Sequence, residues 1–484
     1  MSSILALGQI LTGICAAQPM DLEQAFDRLE SGNRGLQAGR EKIMGAQASR
    51  RASWGAFMPV VKLQADVVRL DRDIVMDLDP IREGIMQLEA NNAVQLQNLS
   101  YAMKNGGAQM PAQQQAAVQQ AAYRQLDAGL PHFQETMKTR DDWGVSVVAY
   151  QPLFHGGRIW AANRVATARE DAAESDLLRQ KGDLRRDFAR LWVQGVLLKQ
   201  SIGLRQQALE SIGRHRDRAR RMVEQGVADK AAFLRAGMAF AEARTALSDD
   251  SSRLESVGLT LAQMAGSAEP ILPSDSLRPP PAAPGSPEEL QASVERRSPL
   301  LRSLADQREV AHRAVAVKNA DFLPEIGLFG KYEFNREAAR DALEPIWMVG
   351  VKGEMTLFRG GADWNSRAAA LAAEREVDAM RGEARSVLEA QTARQILSMK
   401  QAGVRWENLS AQAELARENH RVTEARFAEG QATGLEVVDA WLSSEKAELE
   451  RLSAAGDGWI ALDEILWATG RTDEFRQIWK GGVK

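Results

Sequence analysis

The sequence predicts a mainly α-helical protein with a small β part, built from two copies of one pattern of long helices and short strands. Three observations predict this fold class: a duplication that holds a fixed register, two long segments without proline, and four short segments in which apolar and polar residues alternate. Helices of this length pack side by side along apolar seams.

The duplication is clearest at a strand-to-helix motif. Leu153-Phe154-His155-Gly156-Gly157 returns as Leu357-Phe358-Arg359-Gly360-Gly361 at an offset of 204 residues. The same offset relates Trp160 to Trp364, Gly226 to Gly430 and Gly266 to Gly470. A fixed register over this distance indicates a structural repeat.

A second match shows that the two copies are unequal. Phe57-Met58-Pro59 corresponds to Phe322-Leu323-Pro324 at an offset of 265, so the first copy carries 61 additional residues. We expect this insertion to contain two helical stretches, Pro80 to Lys104 and Pro111 to Lys138, and to lie on the side away from the long helices. A loop decoration is favoured over a receptor or gating role.

Each copy contains one very long helix. Between Gly157 and Gly226 there is no proline, and apolar residues recur at steps of three and four from Leu177 to Val223. About 65 residues at ~1.5 Å each span roughly 100 Å. Gly226 and Gly430 each end a long helix because glycine accepts the left-handed conformation of a helix-ending turn, and a shorter return helix follows.

The predicted strands alternate between apolar and polar residues. Val61, Leu63 and Val67 alternate with polar neighbours, and the same pattern precedes the second Gly-Gly pair. One apolar and one wet face suit a strand that faces lipid. Four aromatic residues near strand ends fit an interfacial position: Trp143, Tyr332, Phe334 and Trp347.

The predicted organisation has five parts. A signal peptide covers 1–17, and cleavage after Ala17 would remove Cys15, the only cysteine. A lipid anchor at Cys15 is disfavoured because Ile14 is bulky. The first repeat (18–269), the Pro-rich linker (270–287), the second repeat (288–470) and the C-terminal tail (471–484) follow. Their predicted elements are strands at about 60–70, 143–154, 325–335 and 346–358, the insertion at about 71–140, long helices at 158–225 and 362–429, and return helices at 228–266 and 434–469.

Composition and motifs argue against catalysis and nucleic-acid binding. The formal net charge is -4, with 26% charged residues, so there is no basic surface for nucleic acid. The five histidines are scattered without a metal-ligand spacing, and no phosphate-binding glycine motif follows a strand. We therefore expect no enzyme activity, no catalytic residue, no metal and no cofactor.

With these elements placed, the sequence resembles the TolC-like outer-membrane efflux proteins over nearly its whole length. The resemblance implies a homotrimer with a 12-stranded transmembrane β-barrel and an α-helical barrel that extends into the periplasm of a Gram-negative cell. It also implies passive conduction of substrate in an efflux or type I secretion system. The implied partners are outer-membrane lipid, a periplasmic adaptor (membrane fusion protein) and an inner-membrane ABC or RND pump.

The resemblance also implies functional residues at the helix turns. Glu436 and Asp439 match acidic residues that ring the periplasmic mouth, where three copies would concentrate negative charge. Residues of the two turns would contact the adaptor: Gly226, Asp229, Gly430, Thr433 and Gly434. Ala432 stands where some relatives have a basic residue that locks the mouth.

The alternative is a periplasmic coiled-coil adaptor or scaffold. An adaptor would have one helical hairpin between compact β domains. This sequence has two hairpins in a fixed register, which favours the duct.

Overall fold

A computed structural model describes residues 18–226, 229–334 and 345–481, the side chains at positions 18 and 232 excepted. The predicted signal peptide, with Cys15, lies outside the described residues. The chain forms two compact units. We call Met1–Ser53, Trp160–Asn319 and Arg359–Lys484 the helical unit, and Trp54–Ile159 with Ala320–Phe358 the sheet unit.

Helices make up most of the described chain. In chain order they are α1 Leu22–Gly32, α2 Arg34–Trp54, α3 Asp79–Lys104, α4 Ala112–Gly129, α5 Arg158–Glu224, α6 Lys230–Ala265, α7 Pro287–Arg297, α8 Pro299–Asn319, α9 Ala362–Ala428, α10 Gly434–Ala468 and α11 Glu474–Trp479. The long helices α5 and α9 have 67 residues each.

The strands are short and few. They are β1 Gln18–Met20, β2 Val60–Arg69, β3 Ile74–Asp77, β4 Gln134–Lys138, β5 Asp141–His155, β6 Ile271–Pro273, β7 Glu325–Glu333 and β8 Trp347–Glu354. Four of them form one antiparallel sheet in the order β2-β5-β7-β8. The predicted fold class, mainly helical with a small strand part, is confirmed.

The core of the helical unit is aromatic and aliphatic in the middle of α5. Phe188, Trp192 and Val196 are buried there, and Phe26 of α1 meets Phe188 edge to face with ring centroids 5.4 Å apart. Elsewhere along α5 many buried positions hold Ala, Ser or Gly. Small side chains let neighbouring helices approach closely over a long distance.

The duplication is visible in how the helices break and pack. The helical segment before each strand region is broken once, at Asn33 and at Ser298, which are 265 residues apart. A Cβ on Gly266 would lie 2.4 Å from the carbonyl oxygen of Gly32, and one on Gly470 would lie 2.3 Å from that of Arg297. Each return helix therefore ends on a backbone contact that requires glycine.

The insertion differs from its prediction in one respect. Its second helical stretch, expected to reach Lys138, ends at Gly129, and residues 134–138 form β4 paired with β3. Pro131 explains the early end, since it lacks an amide hydrogen and disfavours helix in the residue before it. The insertion is thus a two-stranded extension that carries a helical hairpin.

The Pro-rich linker is docked on the helical unit. Asp275 Oδ2 accepts hydrogen bonds from Leu22 N (3.2 Å), Trp192 Nε1 (3.0 Å) and Trp479 Nε1 (3.1 Å). One carboxylate thus ties α1, α5 and the C-terminal helix α11 to the linker. Buried Phe475 and Trp479 show that the segment predicted as a tail belongs to the core.

No helix in the described ranges combines the length and apolar character needed to cross a membrane.

Candidate functional site

One face of the four-stranded sheet is apolar from edge to edge. Directly paired residues of neighbouring strands share a face. The register places Leu63, Val147, Tyr332 and Trp347 in one row across all four strands. Val61, Ala149, Gly330 and Val349 form the next row. Leu63, Trp347 and Val349 are more than 60% exposed, so this apolar surface is open.

The opposite face carries most of the sheet's charged side chains. Lys62 and Lys331 lie on either side of Val148 in one row, and Gln64 and Glu333 lie on either side of Ser146 in the next. Lys331 Nζ lies 2.8 Å from Glu333 Oε1 along the same strand. This face is mixed, because a third row, Val60, Tyr150, Phe329 and Gly350, contains no charged residue.

The two strand-to-helix motifs have the same backbone conformation. Gly156 and Gly157 have φ of 58° and 78°, and Gly360 and Gly361 have φ of 60° and 80°. A Cβ on Gly156 would lie 2.6 Å from the carbonyl oxygen of Ala320. The apolar residues of both motifs, Leu153, Phe154, Leu357 and Phe358, are exposed. The motif thus combines a turn that needs glycine with an exposed apolar pair.

The residues predicted to contact an adaptor have local structural roles at the helix turns. Gly226 and Gly430 have φ of 73° and 77°. Asp229 caps α6, its Oδ1 accepting from Ala231 N (3.2 Å), and Thr433 caps α10, its Oγ1 accepting from Glu436 N (3.3 Å). Asp229 and Thr433 are 204 residues apart, so the cap is duplicated with the turn. Gly434 is the first residue of α10.

Glu436 is tied back to the same cap. Its Oε2 accepts from Thr433 N (2.6 Å) and Thr433 Oγ1 (3.0 Å), completing a capping box. These bonds, first of all the one from the Thr433 amide, lower the pKa of Glu436. Glu436 and Asp439 are exposed on one face of α10, while Val437 and Val438 are buried. Thr-x-x-Glu before an apolar run is the sequence signature of this capping box.

Two histidines that look scattered in the sequence each lie against an aromatic ring near these turns. The His215 ring of α5 lies 5.3 Å from that of Phe427 in α9, and the His420 ring lies 6.1 Å from that of Trp441 in α10. Burial lowers the pKa of His215. We call His215, His420, Phe427 and Trp441 the histidine cluster. The cluster brings together residues of three helices that are far apart in the sequence, so no local sequence motif predicts it.

Charged groups are also buried in the helical unit. Arg185 pairs with Glu30 and with Asp473. Glu464 pairs with Arg190 and accepts from Gln391 Nε2 (2.8 Å). Burial, and then the charge of Glu464, raise the pKa of the neighbouring Asp463 well above its usual range. Within the described ranges, no three His, Cys, Asp or Glu residues are grouped so that they could hold a metal ion.

A sequence comparison decides the family. Residues 112–267 and 290–471, well over half of the chain, match the family model described as outer membrane efflux protein. The chain belongs to the outer membrane efflux protein family. The two matched segments cover both long helices and both return helices of this efflux protein, α5 with α6 and α9 with α10. No curated protein sequence matches it.

Solved outer-membrane channels share the fold of this efflux protein. A membrane protein from Pseudomonas aeruginosa is 17% identical, with a TM-score of 0.70 over 93% of this chain and 90% of that one. The Campylobacter jejuni CmeC outer membrane channel is 12% identical, with a TM-score of 0.69 over 96% and 90% of the two chains. The open state of the Neisseria gonorrhoeae MtrE channel is 16% identical, with a TM-score of 0.66 over 93% and 88%. At these identities the likeness concerns the fold alone.

Proposed function

We propose that three copies of this efflux protein form a passive exit duct across the Gram-negative outer membrane. The observation that carries the proposal is the register of the four-stranded sheet, which places exposed apolar rows on one face and most of the charged side chains on the other. Backbone groups within hydrocarbon must be paired, so a sheet with two outer strands, β2 and β8, has to be closed by other copies. Three copies of a four-stranded sheet would supply twelve strands.

The dimensions of the sheet suit a bilayer. From Trp143 to Leu153, β5 advances ten residues, or roughly 33 Å at ~3.3 Å per residue. A tilt of about 45° reduces this to roughly 23 Å, close to the ~25 Å apolar band of outer-membrane barrels. Aromatic and apolar residues at the two ends, Trp143 and Trp347 at one and Phe154 and Phe358 at the other, are exposed, as interfacial side chains should be.

The long helices would line the periplasmic part of the duct. Helices α5 and α9 have 67 residues each, or roughly 100 Å. Their turns at Gly226 and Gly430 would lie at the inner end, where a periplasmic adaptor would connect the duct to an inner-membrane pump. Gly226, Asp229, Gly430, Thr433 and Gly434 would form the contact, and Glu436 with Asp439 would form the acidic mouth.

Gel electrophoresis of unheated outer-membrane extracts tests the proposal. Detergent extraction should give a band at the mass of three chains that collapses to one chain on heating. Recovery of the protein as a soluble periplasmic monomer, the behaviour of an adaptor, would overturn the duct.

A further inference from the structure

Helix α3 of the insertion carries an apolar stripe on the side that faces away from α4. Six large apolar side chains, between 42% and 81% exposed, recur along the helix: Ile81, Ile85, Leu88, Leu96, Leu99 and Met103. Together with Asn92, these positions follow one another at steps of four, three, four, four, three and four residues, so an 11-residue pattern occurs twice. This 11-residue period of 3.67 residues per turn keeps all seven positions on one face of a nearly straight helix.

The opposite side of α3 is occupied by α4. Arg82, Met86 and Ala90 are buried on that side. Arg82 donates to Asp127 Oδ1 (2.8 Å) and to the carbonyl of Leu130 (2.9 Å), and Gln119 Nε2 donates to Asn91 Oδ1 (2.8 Å). The stripe therefore faces away from its own hairpin, and hairpin packing does not bury it.

The stripe is about as large as the largest apolar patch of a typical monomer. Helix α3 has 26 residues and is roughly 39 Å long at ~1.5 Å per residue, so a stripe about 10 Å wide covers roughly 400 Å². The largest apolar patch on a typical monomer is about 300–600 Å², and such patches often serve binding. A patch of this size and regular spacing points to a helical partner.

The charges of the hairpin argue against lipid as that partner. Helices that lie on membranes carry Lys and Arg on the polar face, opposite Trp, Phe and Leu. Between Gly84 and Met103 the only charged residue is Glu89, and this stretch contains no aromatic residue except Tyr101. Its polar residues are mainly Gln and Asn, which neither attract anionic lipid nor repel a second copy of the same helix.

We propose that the α3 stripes of three copies pack on one another, forming a three-helix bundle above the outer end of the duct, which we call the collar. The proposal rests on the proposed trimer, because the insertion joins β2 to β5 at the sheet ends away from Val60 and His155, which brings three insertions to one end of a shared barrel. Asn92 lies at the centre of the stripe. One polar residue in an apolar seam fixes the register and number of partner helices.

Cysteine cross-linking in intact outer membranes tests the collar. Leu99→Cys lies on the stripe and Gln87→Cys lies on α3 outside it, so a short bismaleimide should join Leu99→Cys chains into dimers and trimers but leave Gln87→Cys chains mainly single. The wild-type chain, whose only cysteine is Cys15, serves as the blank.

The outcomes separate the collar from the duct. A heat-sensitive trimer on unheated gels, with no more cross-linking at Leu99→Cys than at Gln87→Cys, would overturn the collar and leave the duct standing. Protection of Leu99→Cys from a water-soluble maleimide without cross-linking would assign the stripe to lipid or another protein, which also overturns the collar. Absence of any trimer would overturn both.

Discussion

At the scale of single residues, the helix turns are built by duplicated caps. Asp229 and Thr433 cap α6 and α10 at equivalent positions of the two repeats. Any contact with an adaptor at these residues would be added to this structural role. Variants of the turns must therefore separate lost capping from lost binding.

Thr433→Ala should loosen the first turn of α10. Loss of an N-cap costs about 1 kcal/mol, which is roughly a fivefold increase in local opening. Hydrogen exchange of the amides at 434–437 in the assembled protein measures this. Thr433→Ser keeps the accepting hydroxyl and should exchange like the wild type. Equal protection in Thr433→Ala and the wild type would contradict the capping role.

The histidine cluster should make the same region sensitive to acid. Burial lowers the pKa of His215, the charges of Arg214, Arg218 and His420 lower it further, and Glu424 opposes them. With its folded pKa below the ordinary value of about 6.5, His215 binds a proton more tightly in the opened form. Its contribution to stability is present above pH ~6.5 and is lost as the pH falls through the folded pKa.

Hydrogen exchange at two pH values checks this sign. After correction for intrinsic rates, protection of 410–428 should fall between about pH 7.5 and pH 5, and His215→Gln should remove most of the fall. His312→Gln, which changes an exposed histidine of α8, is the matched control. A pH response that His215→Gln leaves unchanged would exclude His215 as its source.

At the scale of elements, the return helices are locked by glycine. Gly266→Ala would place a methyl group 2.4 Å from the Gly32 carbonyl oxygen, in a residue with φ of 65°. The left-handed conformation costs about 1–2 kcal/mol and the clash adds about 1–3 kcal/mol, so unfolding in urea should shift to markedly lower concentration.

Gly226→Ala is the control, because it has φ of 73° but no neighbouring atom within 4 Å of the added Cβ. Gly226→Ala should lose only the stability that the left-handed conformation of alanine costs, about 1–2 kcal/mol. If the two variants lost the same stability, the close contact with Gly32 would not matter. Gly470→Ala should behave like Gly266→Ala, since it meets Arg297 in the same way.

The elements show how far sequence patterns reach. The long helices, the four sheet strands and the turn glycines could be predicted from the periodicity of apolar residues and from the offsets of 204 and 265. These features depend on residues that are close together in the sequence. Docking of the linker through Asp275, the short strands β3 and β4, and the histidine cluster could not be predicted. They depend on partners far away along the chain, whereas the capping box of Thr433 and Glu436 has a local sequence signature.

At the scale of the whole molecule, the proposed trimer multiplies each charge at the mouth by three. Glu436 also serves its cap, so substitution by Ala would confound loss of charge with loss of the capping box. Glu436→Gln keeps an oxygen for the Thr433 amide, and Asp439→Asn keeps the shape of its side chain. The double amide variant therefore removes charge while α10 stays capped.

Single-channel recording of this double variant tests the acidic mouth. A ring of carboxylates in a constriction favours cations and binds divalent ones most strongly, so divalent cations should reduce the wild-type current. The double variant should lose most of this block and keep its heat-sensitive trimer. Glu407→Gln, which removes an exposed carboxylate of α9 far from the turn, should remain blocked. A double variant that forms trimers and is still blocked would place the cation site elsewhere in the duct.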